Sequence, residues 1–130
     1  MSKLLLLTTA VVELGTGLAL LIAPSWVVEL LLGEGLSSPQ SLVLGRITGV
    51  ALVSISVACS LACFRGLSGG RGLTGSMLFY NLAVTGLLAR AAFADGMRGI
   101  AIWPACALHI VLAIWCAICL QRDYTLRGDE

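Results

Sequence analysis

Charge is what this sequence has least of. Of its 130 residues only 12% are Asp, Glu, Lys or Arg, about half the share in an ordinary soluble domain, while 58% are hydrophobic. That balance excludes a water-covered surface on all sides and assigns the chain to the membrane. The net charge of +1 comes without a clustered basic face, which sets nucleic acid aside as a partner. Histidine is almost missing as well: His109 is the single one in the sequence, so bis-histidine haem ligation would need two subunits. No nucleophile triad, phosphate loop, internal repeat or low-complexity segment is present, and spans one and three are not copies of spans two and four, as in many transporters.

What is present is a series of long apolar runs. Each membrane span needs ~20 apolar residues, so this length accommodates about four. The spacing predicts spans at residues 4–23, 39–64, 73–93 and 100–120, forming one transmembrane domain over residues 1–130. The opening Lys3 and Leu4 to Leu7 have the form of a signal peptide, but Glu13 falls inside the apolar stretch and the run continues to Ala23, so it reads as a retained span. Pro24 ends it, because proline has no amide hydrogen and clashes with the preceding turn. Ser25 to Leu32 is too short to cross; with Trp26, Glu29 and the stop at Gly33 it reads as a helix lying in the interface. Ser38 before Pro39 starts the second span, the serine as cap and the proline as first helical residue. Glycine-rich Arg65 to Arg71 and Ala94 to Gly99 are turns, and Gln121 to Glu130 is a polar tail. The expected fold is therefore all-α: a four-helix membrane bundle with a short interfacial helix after the first span.

Orientation follows from the basic residues flanking the spans. Lys3, Arg65, Arg71, Arg122 and Arg127 lie on one side, against Arg98 in a turn and Arg46 and Arg90 within span ends on the other. This bias puts both termini in the cytoplasm.

The polar residues inside the spans are the candidates for function. Glu13, Asn81 and His109 lie near the centres of three different spans. Each sits on a stripe of small or polar residues: Thr9, Ala10, Glu13 and Gly17; Asn81 and Thr85; Ala105, His109 and Ala113. At helical spacings of three and four, such stripes face neighbouring helices. Arg46 stands between Gly45 and Gly49, a small-xxx-small pair that lets two helices approach closely. A charge inside a bilayer costs roughly 3 kcal/mol on insertion scales and needs a partner. Glu13 is the expected counter-ion, in preference to Glu29, which water can satisfy. Glu29 and Arg90 are candidates for an outer vestibule, with Arg90 snorkelling to the interface. Two readings of this set stand side by side: an ion pair and hydrogen bonds that fix helix packing, or a polar cavity opening outward, where Glu13 and His109 move protons or orient a ligand and Arg46 holds an anion or carbonyl oxygen.

The five cysteines include Cys59 and Cys63 one turn apart and a Cys116-Ala117-Ile118-Cys119 motif, with Cys106 on the His109 face. On a reducing cytoplasmic side these read as small apolar packing residues and not as disulfides or metal ligands. Met77, Phe79 and Tyr80 read as core or lipid-facing side chains, and Trp26 and Trp103 as anchors near the outer boundary.

Gly45-Arg46-Ile47-Thr48-Gly49, the Tyr80-Asn81 pair and Trp103-Pro104-Ala105-Cys106-Ala107-Leu108-His109 resemble the DoxX-like group of small bacterial four-helix membrane proteins, across all four spans. The group takes its name from a subunit of a membrane thiosulfate:quinone oxidoreductase. The resemblance implies a bacterial inner-membrane protein, an accessory subunit or a binder of a small lipophilic molecule; no redox motif accompanies it here, so no catalytic activity, cofactor or metal is implied. The expected function is an accessory or binding role for a small lipophilic or anionic molecule, in a pocket built from Glu13, Arg46, Asn81 and His109. The expected partners are the bilayer, subunits of a membrane complex or further copies of the chain. The alternatives are an oligomeric conduit for protons, ions or small solutes, and a quinone-linked thiol oxidoreductase with Cys116 and Cys119 on the oxidising side.

Overall fold

The computed structural model describes residues 2–65 and 70–128, and among them every regular element is a helix. In chain order these are α1 (Ser2–Ile22), α2 (Pro24–Leu32), α3 (Pro39–Arg65), α4 (Gly70–Phe93) and α5 (Ile102–Gly128). Four are long and apolar enough to cross a membrane, over Lys3–Ile22, Pro39–Phe64, Arg71–Phe93 and Ile102–Arg122. The chain is thus a multi-pass membrane protein built as an all-α four-helix bundle.

The helix boundaries follow from local chemistry. α1 stops at Ile22 because Pro24 opens α2 one residue after the break at Ala23. α2 ends at Gly33, whose φ of 94° is the left-handed conformation that glycine adopts without strain, and whose amide donates to Glu29 O. At the start of α3 the Ser41 amide donates to Ser38 Oγ at 3.1 Å, and the Ser38 amide donates to Ser41 Oγ at 3.2 Å. This is a reciprocal cap, with serine in the place usually held by glutamate. Two expectations are corrected. The fourth span begins at Ile102, after the α4–α5 connection. The residues expected to form a polar tail continue α5 to Gly128, because Gln121 to Arg127 contains no glycine or proline to stop the helix. α4 begins at Gly70, three residues before the expected start, and the centre of the expected turn, residues 66–69, lies outside the described residues.

The bundle is two antiparallel helix pairs, α1 with α3 and α4 with α5. The α1–α3 contact is set by two glycines. A Cβ on Gly17 would stand 2.8 Å from Gly49 O, and one on Gly49 would stand 2.7 Å from Gly17 O, so the backbones touch where neither residue has a side chain. About two turns deeper, Ser56 Oγ donates to Ala10 O at 2.7 Å. The same register brings the Cys63 thiol to 3.6 Å from Lys3 O. Large apolar side chains such as Val11, Ile22, Phe64, Phe79 and Leu87 are exposed on the outer surface, as lipid-facing residues should be.

The two ends of the bundle differ. At the end holding the start of α1, Leu5, Leu6, Ala10, Cys59, Cys63, Met77, Leu112, Cys116 and Cys119 form one packed core. At the other end α2 folds across the helices, docked by the Ala101 amide on Leu30 O at 2.8 Å. Beneath α2 the helices leave a partly open hollow.

Candidate functional site

The hollow is a cavity of about 830 Å³ between the helix pairs, lined by Leu20, Val27, Leu31, Leu52, Val84, Leu88 and Leu108 among other apolar side chains. Such a volume lies within the ~300–1,000 Å³ typical of small-molecule sites. Glu13, Tyr80 and His109 contribute polar atoms to the lining. They sit where the hollow half meets the packed half, each placed by a different span.

Glu13 is only 2% exposed. It lies one turn from Thr9 and one turn from Gly17, on the stripe that α1 turns inward, and Thr9, Ala10 and Gly17 are buried with it. Tyr80 Oη donates to Glu13 Oε2 at 3.4 Å. The Tyr80 and His109 rings meet edge to face with centroids 5.8 Å apart. Behind them Asn81, 1% exposed, donates from Nδ2 to Met77 O at 2.7 Å, and its Oδ1 lies 2.7 Å from His109 Nδ1. An amide oxygen accepts and does not donate, so His109 Nδ1 carries the hydrogen and, in the neutral ring, Nε2 is left with a lone pair. Thr85 Oγ1 donates to Asn81 O at 2.8 Å, so the stripe expected on α4 is engaged in full. Thr9, one turn from Glu13 on the packed side, has a buried hydroxyl with no hydrogen-bond partner among the described residues.

Three of the four expected pocket residues are therefore brought together: Glu13, Asn81 and His109. The fourth is not. Arg46 is exposed, makes no hydrogen bond or ion pair among the described residues, and does not line the cavity. The antiparallel register explains why. With Gly17 opposite Gly49 and Ala10 opposite Ser56, Glu13 lies level with Val53, whereas Arg46 lies level with Leu20. Seven residues of axial separation amount to ~10 Å. Arg46 also follows Gly45, which faces Pro24 and Leu36, and is therefore rotated about 100° away from that contact. The expected Glu13–Arg46 pair is replaced by the hydrogen bond from Tyr80.

Tyr80 is the residue that reading the sequence as core or lipid-facing missed. Its signal was its place beside Asn81, together with the need of a buried phenol for a hydrogen-bond partner. Of its neighbours, Met77 is buried and Phe79 is 75% exposed. The two vestibule candidates lie outside the cavity lining: the Glu29 side chain is exposed, and Arg90 Nε stands 3.8 Å from Asp95 Oδ2 at the exposed end of α4. All five cysteines are free and buried, and among the described residues no group of three or more His, Cys, Asp or Glu side chains is placed to hold a metal ion.

The fold and the site define a class: a small multi-pass α-helical membrane protein with a partly open apolar cavity that ends in a polar cluster. Comparison with protein-family models, curated proteins and solved structures gives no match.

Proposed function

We propose that the protein binds a small lipophilic molecule inside the membrane, with the molecule's apolar body in the cavity under α2 and its polar group at Glu13, Tyr80 and His109. The observation that carries this reading is the cavity: about 830 Å³, walled mostly by aliphatic side chains and polar at one end. The cavity is open on one side, where Trp26, Ile47 and Ala51 of its lining are exposed, so an apolar body can enter from the lipid and make dispersion contacts along its walls. The resemblance to DoxX-like proteins agrees with this role and adds a setting, the bacterial inner membrane, as an accessory subunit or partner in a membrane complex; the basic flanks add cytoplasmic termini. An anionic ligand is not part of the reading, because the lining carries the Glu13 carboxyl group and no Lys or Arg, and Arg46 lies elsewhere.

The test is native purification followed by mass spectrometry of extracted small molecules, for the natural chain and for Ala51→Phe. Ala51 lines the cavity but is exposed, so a phenyl ring there fills space without entering the packed half. The expected result is a lipophilic species retained by the natural chain and depleted at least about tenfold in the variant, the change that a loss of ~1.4 kcal/mol produces. Equal recovery of every species from both chains would overturn the reading.

A further inference from the structure

The polar end of the cavity offers acceptors where a ligand's head group would lie. Tyr80 gives its hydroxyl hydrogen to Glu13 Oε2, which leaves Tyr80 Oη with lone pairs. His109 gives its Nδ1 hydrogen to Asn81, which leaves Nε2 with a lone pair. The second oxygen of Glu13 has no partner among the described residues and is an acceptor when ionised. Asn81 cannot reverse these roles, because its Nδ2 is committed to Met77 O. Of the two lining threonines, Thr48 gives its hydrogen to Leu44 O, and Thr16 lies nearly a turn from Glu13 toward α2 and is exposed.

Charge points the same way. Glu13 lies deep in the bundle, and no Lys or Arg lines the cavity. A carboxyl group in apolar surroundings keeps its proton unless a positive partner and hydrogen-bond donors stabilise the ionised form, and an ammonium ion would supply both. The described residues supply one donor, at 3.4 Å, and no Lys or Arg lines the cavity.

We infer, resting on the binding role proposed above, that the ligand is a lipophilic amine held as its ammonium ion, its N–H groups donating to Glu13, His109 Nε2 and Tyr80 Oη and its apolar body filling the space under α2. An alcohol supplies one donor and no charge. A ketone or ester supplies acceptors to a site already made of acceptors, and a carboxylate adds a second negative charge. Each is therefore disfavoured against an amine of the same length.

The probes are brominated dodecylamine, dodecanol and dodecanoate, with bromine on the alkyl chain, titrated into the protein in lipid nanodiscs. Trp26 lines the cavity and reports on it by bromine quenching, in a background where Trp103 and Trp115 are phenylalanine. The expected result is saturable quenching by the amine at a concentration about tenfold or more below the alcohol, as a charge-assisted hydrogen bond implies, with dodecanoate weakest. Glu13→Gln should bring the amine's midpoint up to the alcohol's, with helix content by circular dichroism as the check that the variant folds. The rank order in the natural chain decides the matter even if that variant does not fold. Amine and alcohol binding alike, or dodecanoate binding best, would overturn the amine assignment while leaving a lipophilic cavity in place. Quenching that never saturates for any probe, or that is unchanged by Ala51→Phe, would overturn the cavity reading itself.

Discussion

At the scale of single residues, two polar side chains within spans behave in opposite ways, and burial decides which. Asn81 is enclosed and spends its amide twice, on Met77 O and on His109 Nδ1. Removing it leaves the part-buried His109 Nδ1 hydrogen without its acceptor and opens a gap in the core, so Asn81→Ala should lower stability by ~1–3 kcal/mol. Arg46 carries a full charge but faces outward with no partner among the described residues, so Arg46→Ala should stay within about 0.5 kcal/mol of the natural chain. Unfolding in detergent or nanodiscs, followed by circular dichroism, checks both. A large loss for Arg46→Ala would mean that the guanidinium reaches a buried group after all. The side chain is long enough to lie along the helix toward the membrane surface, and its position ~10 Å inside the start of α3 suits that route.

At the scale of the helix, the α1–α3 pair depends on the absence of two side chains. A Cβ at Gly49 would press on Gly17 O at 2.7 Å and the Leu21 amide nitrogen at 3.0 Å, and backbone cannot move aside as a flexible side chain can. Gly49→Val should therefore destabilise the bundle by ~1–3 kcal/mol through overpacking. Gly86→Ala, where a Cβ meets nothing within 4 Å, should leave stability nearly unchanged under the same assay. Equal effects would mean that helix propensity, and not the crossing, governs this pair. Gly45 and Gly49 were legible in the sequence as a packing face, although the residue that meets Gly49 is Gly17 and Gly45 meets Pro24 and Leu36 instead; the inward stripes of α1 and α4, the caps at Gly33 and Ser38, and the short α2 helix were legible as well. What was not legible was register. Glu13 and Arg46 look like natural partners until Gly17 is set opposite Gly49, and that pairing belongs to the contact between helices and not to either helix alone. Tyr80 was hidden for a related reason: its ring matches an apolar position by type, and only the approach of α1 brings Glu13 to its hydroxyl.

At the scale of the whole molecule, the bundle has a packed end and a hollow end, and the polar cluster is the floor between them. Four cysteines belong to the packed core, at 0–9% exposure, while α2 covers the hollow half. Which side of the membrane each end faces sets what can reach the cavity and what redox conditions the thiols meet. The basic flanks predict a cytoplasmic packed end with both termini; in that orientation the cavity lies in the outer half of the membrane and the thiols stay reduced. Met97, in the α4–α5 connection at the hollow end, is 38% exposed, so Met97→Cys offers a thiol at that surface while the natural cysteines are buried. Treating intact cells with a membrane-impermeant maleimide should label this variant and leave the natural chain almost unlabelled. Labelling that appears only after the membrane is opened would invert the protein: the cavity would then load from the cytoplasmic half, and the Cys116–Cys119 end would face the oxidising compartment.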